Sequence, residues 1–360
     1  MKIGIVTQPL WGNYGGILQN FALQKVLMSI GQSPITLDYM RGYSHIEYIY
    51  IFFRRLIACL LRRKKSWIAP FKPVREIEII DEFVNNYIVK TDPFWYKYQS
   101  NLIEDYGLDA IIVGSDQVWR PRYNTHIEDM FLKFCKSDNL KRVAYAASFG
   151  CSTNEYTKSQ MKICSKLLKK FHGVSVRETS GVSILNEFGR YDAISVLDPT
   201  LLLGRSGFDE ILPKDQIDQS AEKYLGAYIL DNSSQIETML KTKASKLGLN
   251  KIIRLEENTP YIGPIEWIST IKKASFFVTD SFHGTIFCLL YHIPFLTLIN
   301  QNRGAERFHD LLNPLNLSKY LISDISEITQ ERPSINWGKI DYLIERQRSE
   351  SLKFLTNSLK

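Results

Sequence analysis

The sequence is poor in cysteine, with five cysteines in 360 residues and no C-x-x-C pair among them. Such scattered thiols argue against a disulfide framework or a zinc site and are typical of a reducing compartment. The chain also lacks a D-x-D pair, which disfavours a metal-held nucleotide sugar as the substrate. A P-loop, a G-x-S-x-G elbow and an H-E-x-x-H pair are missing as well. We therefore expect neither a metal ion nor an organic cofactor.

Basic residues outnumber acidic ones by 45 to 38, which gives a formal net charge of +7. This modest excess suggests anionic ligands or a membrane surface without requiring nucleic acid. The chain has no zinc-finger spacing, aromatic RNP motif or basic tail, so nucleic-acid binding is not expected. It begins with a strand-like run and shows no signal-peptide pattern, which predicts a cytoplasmic protein.

Strand-like runs alternate with helical periods along the chain, a pattern that favours parallel sheets joined by crossover helices. The predicted strands span 2–7, 35–38, 110–113, 143–147, 173–176, 193–196, 224–230, 251–254, 276–279 and 295–299. Asp198-Pro199-Thr200 and residues 204–207 are interpreted as a turn and a linker between two halves. The expected fold class is α/β, with two Rossmann-like domains facing each other across a cleft.

The chain length supports two domains, because 360 residues exceed what one ordinary hydrophobic core holds. We predict an N-terminal domain at 1–203 and a C-terminal domain at 204–335. A C-terminal helix at 336–360 is expected to return and pack on the N-terminal domain.

One segment, at about 45–66, differs from this alternation because a helix there would carry apolar residues on one side and arginines on the other. Its charges are incompatible with spanning a bilayer. Two interpretations stay open: a basic amphipathic helix in a membrane interface, or a crossover helix with a solvated basic face.

The polar stretch at 280–285 follows an apolar run, so it lies where a buried strand ends and a helix begins. The helix is predicted to start at Gly284. His283 and the hydroxyl of Ser281 would then stand at the sheet edge where ligands bind in open α/β folds, beside helix amides that favour anions. The alternative is that His283 merely caps the helix.

Two stretches of the first half would face the same cleft. A glycine loop with Asn13, Gly15 and Gly16 leads into a helix predicted at 17–30, and its glycines would let the backbone approach a ligand. The loop does not match G-x-G-x-x-G, so no dinucleotide is implied, and a simple tight turn is the alternative. Asp116 would either accept a proton from a hydroxyl or hydrogen-bond a loop.

Three arginines could make the cleft positive. Arg177 follows a predicted strand, and its guanidinium would clamp a carboxylate or phosphate unless a neighbouring acid pairs with it. Arg303 and Arg307 are four residues apart. If the helix that contains Arg307 already includes Arg303, both side chains lie on one face of it. With His283 they would form a basic pocket, although Glu306 is an alternative partner for either arginine.

These motifs resemble the polysaccharide pyruvyl transferase family, and the similarity runs along nearly the whole chain. The resemblance rests on G-N-Y-G-G at 12–16, L-Q-N-F-A-L at 18–23, V-G-S-D-Q-V-W at 113–119, S-V-R-E at 175–178, L-D-P-T at 197–200, T-D-S-F-H-G at 279–284 and R-G-A-E-R-F at 303–308. Each motif is short, but the ordered set is hard to obtain by accident.

The resemblance implies two domains of the glycosyltransferase-B kind. It also implies transfer of pyruvate from phosphoenolpyruvate onto two sugar hydroxyls as a cyclic ketal, with release of phosphate. The family histidine falls on His283, the expected acid, and a donor-binding arginine falls on Arg177. Some members have a lysine where this chain has Arg303.

The remaining expected roles follow the same resemblance and the motifs above. Arg307, Ser281 and Gly284 would complete the donor site together with the arginines already named. Asp116 is the expected base for the acceptor hydroxyl. Asn13, Gly15 and Gly16 would lie on the acceptor side or form only the loop.

The expected partners are phosphoenolpyruvate as co-substrate and a glycan or lipid-linked oligosaccharide of exopolysaccharide or capsule biosynthesis. The inner face of the cell membrane is the expected location if the 45–66 segment binds lipid. A metal-independent glycosyltransferase that uses a nucleotide sugar is the alternative on the same fold. A non-catalytic glycan-binding protein is a further alternative, but it leaves the charged cluster without a purpose.

Overall fold

The computed structural model describes residues 1–40, 49, 53, 77–214, 222–231, 233–255, 262–299 and 304–360. Arg303 lies outside these residues, and so does the predicted segment at 45–66 apart from Ile49 and Phe53. The backbone at those two positions is helical and both side chains are exposed. The two interpretations of that segment therefore stay predictions.

The first half contains a parallel sheet that is covered on both faces. The strands of this half are β1 (Lys2–Val6), β2 (Ser33–Thr36), β3 (Tyr39–Met40), β4 (Phe94–Trp95), β5 (Ala110–Val113), β6 (Lys141–Ala147), β7 (Gly173–Val176) and β8 (Ile194–Ser195). Six of them pair in the order β2-β1-β5-β6-β7-β8, and β3 pairs with β4. Along β5, Ile111 and Val113 join one core cluster while Ala110 and Ile112 join another, as expected for a parallel strand buried on both sides.

The helices of the first half connect these strands. They are α1 (Tyr14–Ser29), α2 (Glu78–Tyr87), α3 (Asn101–Asp105), α4 (Lys158–Leu168), α5 (Thr179–Glu187) and α6 (Pro199–Asp209). Because α1 follows β1 directly, its first turn lies at the carboxyl edge of the sheet, where α/β proteins bind ligands.

The second half repeats the design with a five-stranded parallel sheet. Its strands are β9 (Tyr224–Tyr228), β10 (Lys251–Arg254), β11 (Phe276–Thr279), β12 (Phe295–Leu298) and β13 (Leu321–Ile322), in the order β10-β9-β11-β12-β13. Its helices are α7 (Ser234–Lys246), α8 (Pro264–Lys273), α9 (Phe282–Tyr291), α10 (Glu306–Leu312) and α11 (Trp337–Leu359). The predicted α/β class with two parallel sheets is confirmed; the exact domain boundaries stay a prediction.

The predicted turn at 198–200 and linker at 204–207 are wrong, because Asp198 caps α6 and the other residues belong to that helix. Asp198 caps the helix by accepting the amide N–H of Thr200 at 2.9 Å, and Pro199 has a φ suited to the first helical position. The helix is interrupted at Gly204, where φ is 75° and ψ is 178°. The glycine that suggested a linker therefore allows a break within a helix.

The C-terminal helix α11 packs back on the first sheet. Its Leu355 and Leu359 join the core cluster that contains Ile3 and Tyr145. Ser351 accepts the amide N–H of Leu197 at 3.0 Å through its hydroxyl oxygen, which ties the helix to the chain just before α6. The predicted return of the C-terminal helix is therefore present in the structure.

Replacing Leu355 with alanine is expected to lower the free energy of unfolding by roughly 3 kcal/mol, because a fully buried leucine leaves a cavity between α11 and the sheet. Leu352→Ala on the same helix is the matched control, since that side chain is 37% exposed. Urea unfolding of both variants measures the difference. Equal losses would contradict the packing described.

Candidate active site

Two helix starts, one from each half, meet at the proposed site. Gly15 is the second residue of α1, and His283 is the second residue of α9. A Cβ atom at Gly15 would overlap the imidazole of His283 and lie 2.7 Å from its Cε1. Only glycine fits at this position without moving the histidine, so the glycine loop receives the imidazole of the other half.

His283 is buried and stands beside a carboxylate. Its side chain is 8% exposed, and its Nε2 lies 3.5 Å from Oδ2 of Asp198, close enough for an ion pair when the imidazole is protonated. Its other ring nitrogen, Nδ1, faces Gly15. The predicted alternative, that His283 only caps α9, is not what the structure shows, because Ser281 is the capping residue.

Asp198 connects several parts of the site through its two oxygens. Oδ1 accepts the amide and the hydroxyl of Thr200 at 2.9 and 2.6 Å. Oδ2 accepts the hydroxyl of Ser115 at 2.9 Å and Nη1 of Arg177 at 3.2 Å. Burial alone would raise the pKa of Asp198, but the neighbouring His283, Arg177 and Thr200 outweigh it, and the pKa is lowered well below its usual range. The carboxylate is therefore ionised near neutral pH.

Asp198→Asn is expected to lower the free energy of unfolding by roughly 3 kcal/mol at pH 7, since it leaves buried Arg177 without its closest counter-ion. Because the folded-state pKa of Asp198 is lowered, this stabilisation is complete above the unfolded-state value of about 3.9 and is lost as the pH falls below it. The gap between wild type and variant should therefore narrow below about pH 4.

Urea unfolding from pH 7 to pH 3 measures that gap. Asp138→Asn is the control, because Asp138 pairs with Lys170 at an exposed position where its side chain is 80% accessible. A gap that stays constant over the whole range would contradict a stabilising charge on Asp198.

Arg177 is enclosed by acids. Besides its hydrogen bond to Asp198, its Nη2 lies 4.0 Å from Asp116 and its Nε lies 3.8 Å from Glu178. The guanidinium also stacks on the ring of Phe282 at 4.5 Å. Burial alone would lower the pKa of Arg177, but the three carboxylates reverse this and raise it. The alternative of a salt bridge is therefore realised, and direct donor binding by Arg177 stays a prediction.

Asp116 lies opposite His283 in the same region. Its backbone is left-handed, with φ at 70°. Its Oδ2 accepts a hydrogen bond from Nδ2 of Asn13 at 3.2 Å. Because the Asn13 side chain contacts Asp116, it does not cap α1. Gly16 lies beside the same carboxylate, since a Cβ there would come within 3.2 Å of Oδ2. The structure thus brings Asn13, Gly15, Gly16 and Asp116 together.

The two halves enclose a space of about 380 Å³, here called the central cleft. Its lining includes Gly15 and Asp116 from the first half and Ser281, His283 and Arg307 from the second. Arg177 is not part of this lining; it lines a neighbouring cavity that shares Phe282 and Arg307 with the central cleft.

Arg307 is the arginine among the described residues that line the central cleft, where it stands with His283. Its Nε is buried without a hydrogen-bond partner among the described residues. Burial and the nearby Arg177 lower the pKa of Arg307 to about 10, so it keeps its charge near neutral pH. Glu306 is exposed, and the predicted alternative pairing with Arg307 is not found among the described ion pairs.

Ser281 and Gly284 organise the start of α9. The helix begins at Phe282, two residues before the predicted start, because the Ser281 side chain caps it by accepting the amide N–H of Gly284 at 3.3 Å. Gly284 must lack a side chain because a Cβ would lie 2.7 Å from Oγ1 of Thr279. Whether either residue contacts a donor stays a prediction.

Comparison with known proteins identifies the family. Residues 13–302 match the sequence model described as polysaccharide pyruvyl transferase. The chain belongs to this family. No curated protein matches it.

Solved structures similar to this pyruvyl transferase family member share its fold at low sequence identity. UDP-GlcNAc 2-epimerase from Neisseria meningitidis, bound to UDP-GlcNAc, is 11% identical with a TM-score of 0.53, and the match covers 100% of this chain and 99% of that one. MnaA of S. aureus, in a co-structure with UDP, is 12% identical with a TM-score of 0.50, covering 97% and 90%. These likenesses confirm the Rossmann-like glycosyltransferase-B fold.

In this family member, sequence reasoning missed Asp198 as a site residue. From the sequence alone, the L-D-P-T motif predicts a turn. An aspartate followed by proline at a helix start could have been recognised as a cap. Its contact with His283 bridges 85 positions of the chain and both halves, so no local pattern reveals it.

The described part of the chain contains neither a candidate metal site nor a membrane-spanning helix. Within the described ranges, no three side chains of His, Cys, Asp and Glu come together as a metal site would require. No helix in the same ranges combines the length and apolar character needed to cross a bilayer.

Proposed function

We propose that the protein transfers pyruvate from phosphoenolpyruvate onto two hydroxyls of a sugar, forming a cyclic ketal and releasing phosphate. Family membership supports pyruvyl transfer. The observation that carries the proposal is the buried pair of His283 and Asp198 beside Arg307 in a cleft between the halves. This arrangement offers an acid and a cation to a small dianionic donor.

Phosphoenolpyruvate would bind by its two anionic groups. Arg307 can donate to a carboxylate or phosphate, and charge-assisted hydrogen bonds of this kind are the strong ones. The first turns of α1 and α9 add amide groups that have no intrahelical acceptor and favour negative charge. Arg303, four residues before Arg307, is a further proposed contact.

In the proposed reaction, protonated His283 donates its proton to C3 of the enol, which becomes the methyl group. The first sugar hydroxyl attacks C2 and gives its proton to Asp116. The C2–O bond to phosphate then breaks, and the departing phosphate takes the proton from Asp116. The second hydroxyl attacks C2 to close the ketal and gives its proton to His283, which restores both side chains. In the balance, one of the two hydroxyl protons ends on the methyl group and the other on phosphate.

Arg177 would act as a positioning residue in this scheme. It holds Asp198 at 3.2 Å, and Asp198 in turn lies beside Nε2 of His283. The carboxylate would orient the imidazole, as a buried acid does beside a catalytic histidine. General acid–base assistance of this kind contributes about 10²–10⁴-fold in rate.

Mass spectrometry of glycan acceptors incubated with phosphoenolpyruvate tests the function, together with a phosphate-release assay. We expect a pyruvate ketal on the acceptor and one phosphate per ketal. In a parallel thermal-shift assay, phosphoenolpyruvate should stabilise the protein and nucleotide sugars should not. Stabilisation by a nucleotide sugar, with glycosyl transfer and no ketal, would favour the glycosyltransferase alternative.

Arg307→Gln should raise the KM for phosphoenolpyruvate about ten- to a hundredfold, because a hydrogen bond to a charged group contributes about 1.5–3 kcal/mol. Arg205→Gln is the matched control, since Arg205 is half exposed and pairs with Asp209 on the surface. Steady-state kinetics at saturating acceptor measure both. An unchanged KM in Arg307→Gln would remove this residue from the donor site.

A further inference from the structure

A second cleft opens beside the central cleft, entirely within the first half. It has a volume of about 170 Å³ and is called here the aromatic cleft, because Trp11, Tyr39, Tyr98 and Tyr123 line it. It shares Gly12, Asn13 and Tyr123 with the central cleft. A molecule in the aromatic cleft would therefore sit next to one held by His283 and Arg307.

The two clefts differ in charge. The central cleft contains the guanidinium of Arg307 and the imidazole of His283 beside the carboxylate of Asp116, so it offers a cation to an anionic ligand. Among the described residues that line the aromatic cleft there is no lysine or arginine, and Asp129 is the carboxylate. An anionic donor is therefore favoured in the central cleft, and a neutral ligand with hydroxyl groups is favoured in the aromatic cleft.

The aromatic cleft combines flat apolar surfaces with hydrogen-bonding groups. Tyr39 stacks on Tyr98 with ring centres 5.2 Å apart, and Tyr98 stacks on Phe134 at 4.9 Å. These rings are held rigidly, which lowers the entropic cost of binding. Nε1 of Trp11 and the hydroxyl of Tyr98, whose residue is 3% exposed, are buried without a hydrogen-bond partner among the described residues.

The polar lining is also fixed in place. Nε2 of Gln8 donates to Oδ1 of Asn124 at 3.2 Å and to the backbone oxygen of Gln117 at 3.0 Å. The side chain of Asn124 donates in turn to the backbone oxygen of Val118 at 2.8 Å. These bonds orient Oε1 of Gln8 as an acceptor, so the cleft offers a preorganised mixture of ring faces and polar atoms, as small-molecule sites do.

We propose that the aromatic cleft binds an uncharged pyranose ring of the acceptor glycan and presents its hydroxyls to the central cleft. A pyranose has one apolar C–H face, which fits a tyrosine or tryptophan ring, and a rim of hydroxyls, which fits Gln8 and Asp129. The shared wall at Gly12 and Asn13 places the reacting hydroxyls toward Asp116, which Asn13 contacts. This inference rests on the proposed function for the identity of the acceptor, while the binding itself does not require catalysis.

Saturation-transfer difference NMR of the full chain without phosphoenolpyruvate tests the binding. The probes are the methyl glycosides of glucose, galactose, mannose and N-acetylglucosamine, with open-chain sorbitol as a ligand that lacks a ring face. We expect ring-proton signals from at least one glycoside and none from sorbitol. Trp11→Ala should weaken that binding by roughly tenfold or more, because the ring supplies both area and stacking.

A second, smaller substitution tests binding in case Trp11→Ala fails to fold. Tyr98→Phe removes one buried hydroxyl and should weaken glycoside binding, whereas Tyr106→Phe, whose hydroxyl bonds Asp92 at an exposed position, should not. Binding of no probe by the wild type would overturn the inference. Signals that are unchanged in both Trp11→Ala and Tyr98→Phe would overturn it as well.

Kinetics separate this inference from the proposed function. With a turned-over acceptor, Trp11→Ala should raise the KM of the acceptor and leave the KM of phosphoenolpyruvate unchanged. Phosphate release with an unchanged acceptor KM would overturn the inference and leave the function standing. Glycoside binding that depends on Trp11 and Tyr98, without any phosphate release, would support the inference and overturn the function.

Discussion

Replacing His283 with asparagine is expected to reduce phosphoenolpyruvate-dependent phosphate release by about 10²–10⁴-fold, the range that general acid–base groups contribute. The loss should appear in kcat, because in the proposed reaction the imidazole delivers a proton in the transition state and adds little to ground-state binding. Single-turnover phosphate release at saturating donor and acceptor measures it. The thermal midpoint should change little, since asparagine fits the volume beside Gly15.

His292→Asn is the matched control for this variant. His292 ends the same helix α9, bonds Asp341 at 2.8 Å on the surface, and has a left-handed backbone that asparagine tolerates. Its turnover should equal that of the wild type. Turnover by His283→Asn within a factor of about three of wild type would remove the histidine from the proton transfer.

Gly15→Ala is expected to produce a loss of similar scale, about 10²-fold or more, although residue 15 carries no chemical group. The added methyl would overlap the imidazole of His283, so the ring must rotate or the two helix starts must separate. Either movement breaks the alignment with Asp198 and with the donor. Alanine is otherwise the better helix former by about 1 kcal/mol, and the thermal midpoint of the variant separates a misplaced imidazole from unfolding.

Gly338→Ala provides a control of identical chemistry. Gly338 is also the second residue of a helix, α11, and the nearest atom to an added Cβ is 3.8 Å away. It should keep full turnover with equal or higher thermal stability. If Gly15→Ala also kept full turnover, the overlap would not control the position of the imidazole.

The sheets could be predicted from sequence because buried parallel strands are short apolar runs with clear boundaries. The strand before His283 was expected at 276–279, and β11 has those bounds. The approach of His283, Asp116 and Arg307 to one cleft also followed from their positions after strands. His283 and Arg307 follow neighbouring strands of the second sheet, and the predicted cleft between the two halves brings Asp116 of the first half to them.

The pairing of charges could not be predicted in the same way. Arg177 was expected to face the donor, yet three carboxylates at 3.2, 3.8 and 4.0 Å surround it. The side chains that surround Arg177 depend on the packing of Phe282 and on α6. The sequence predicts a turn and a linker where α6 lies. Because Asp198 caps α6, a prediction without this helix also fails to place the carboxylate of Asp198 beside His283.

The meeting of Gly15 with His283 limits how such proteins can exchange parts. Gly15 belongs to the first half and His283 to the second. The contact between Asp198 and His283 joins the same two halves. A chimera that joins the first half of one protein to the second half of a relative must preserve both pairs to stay active. Recombination between the two halves would therefore give an active protein only where the paired residues match, even where each half folds well alone.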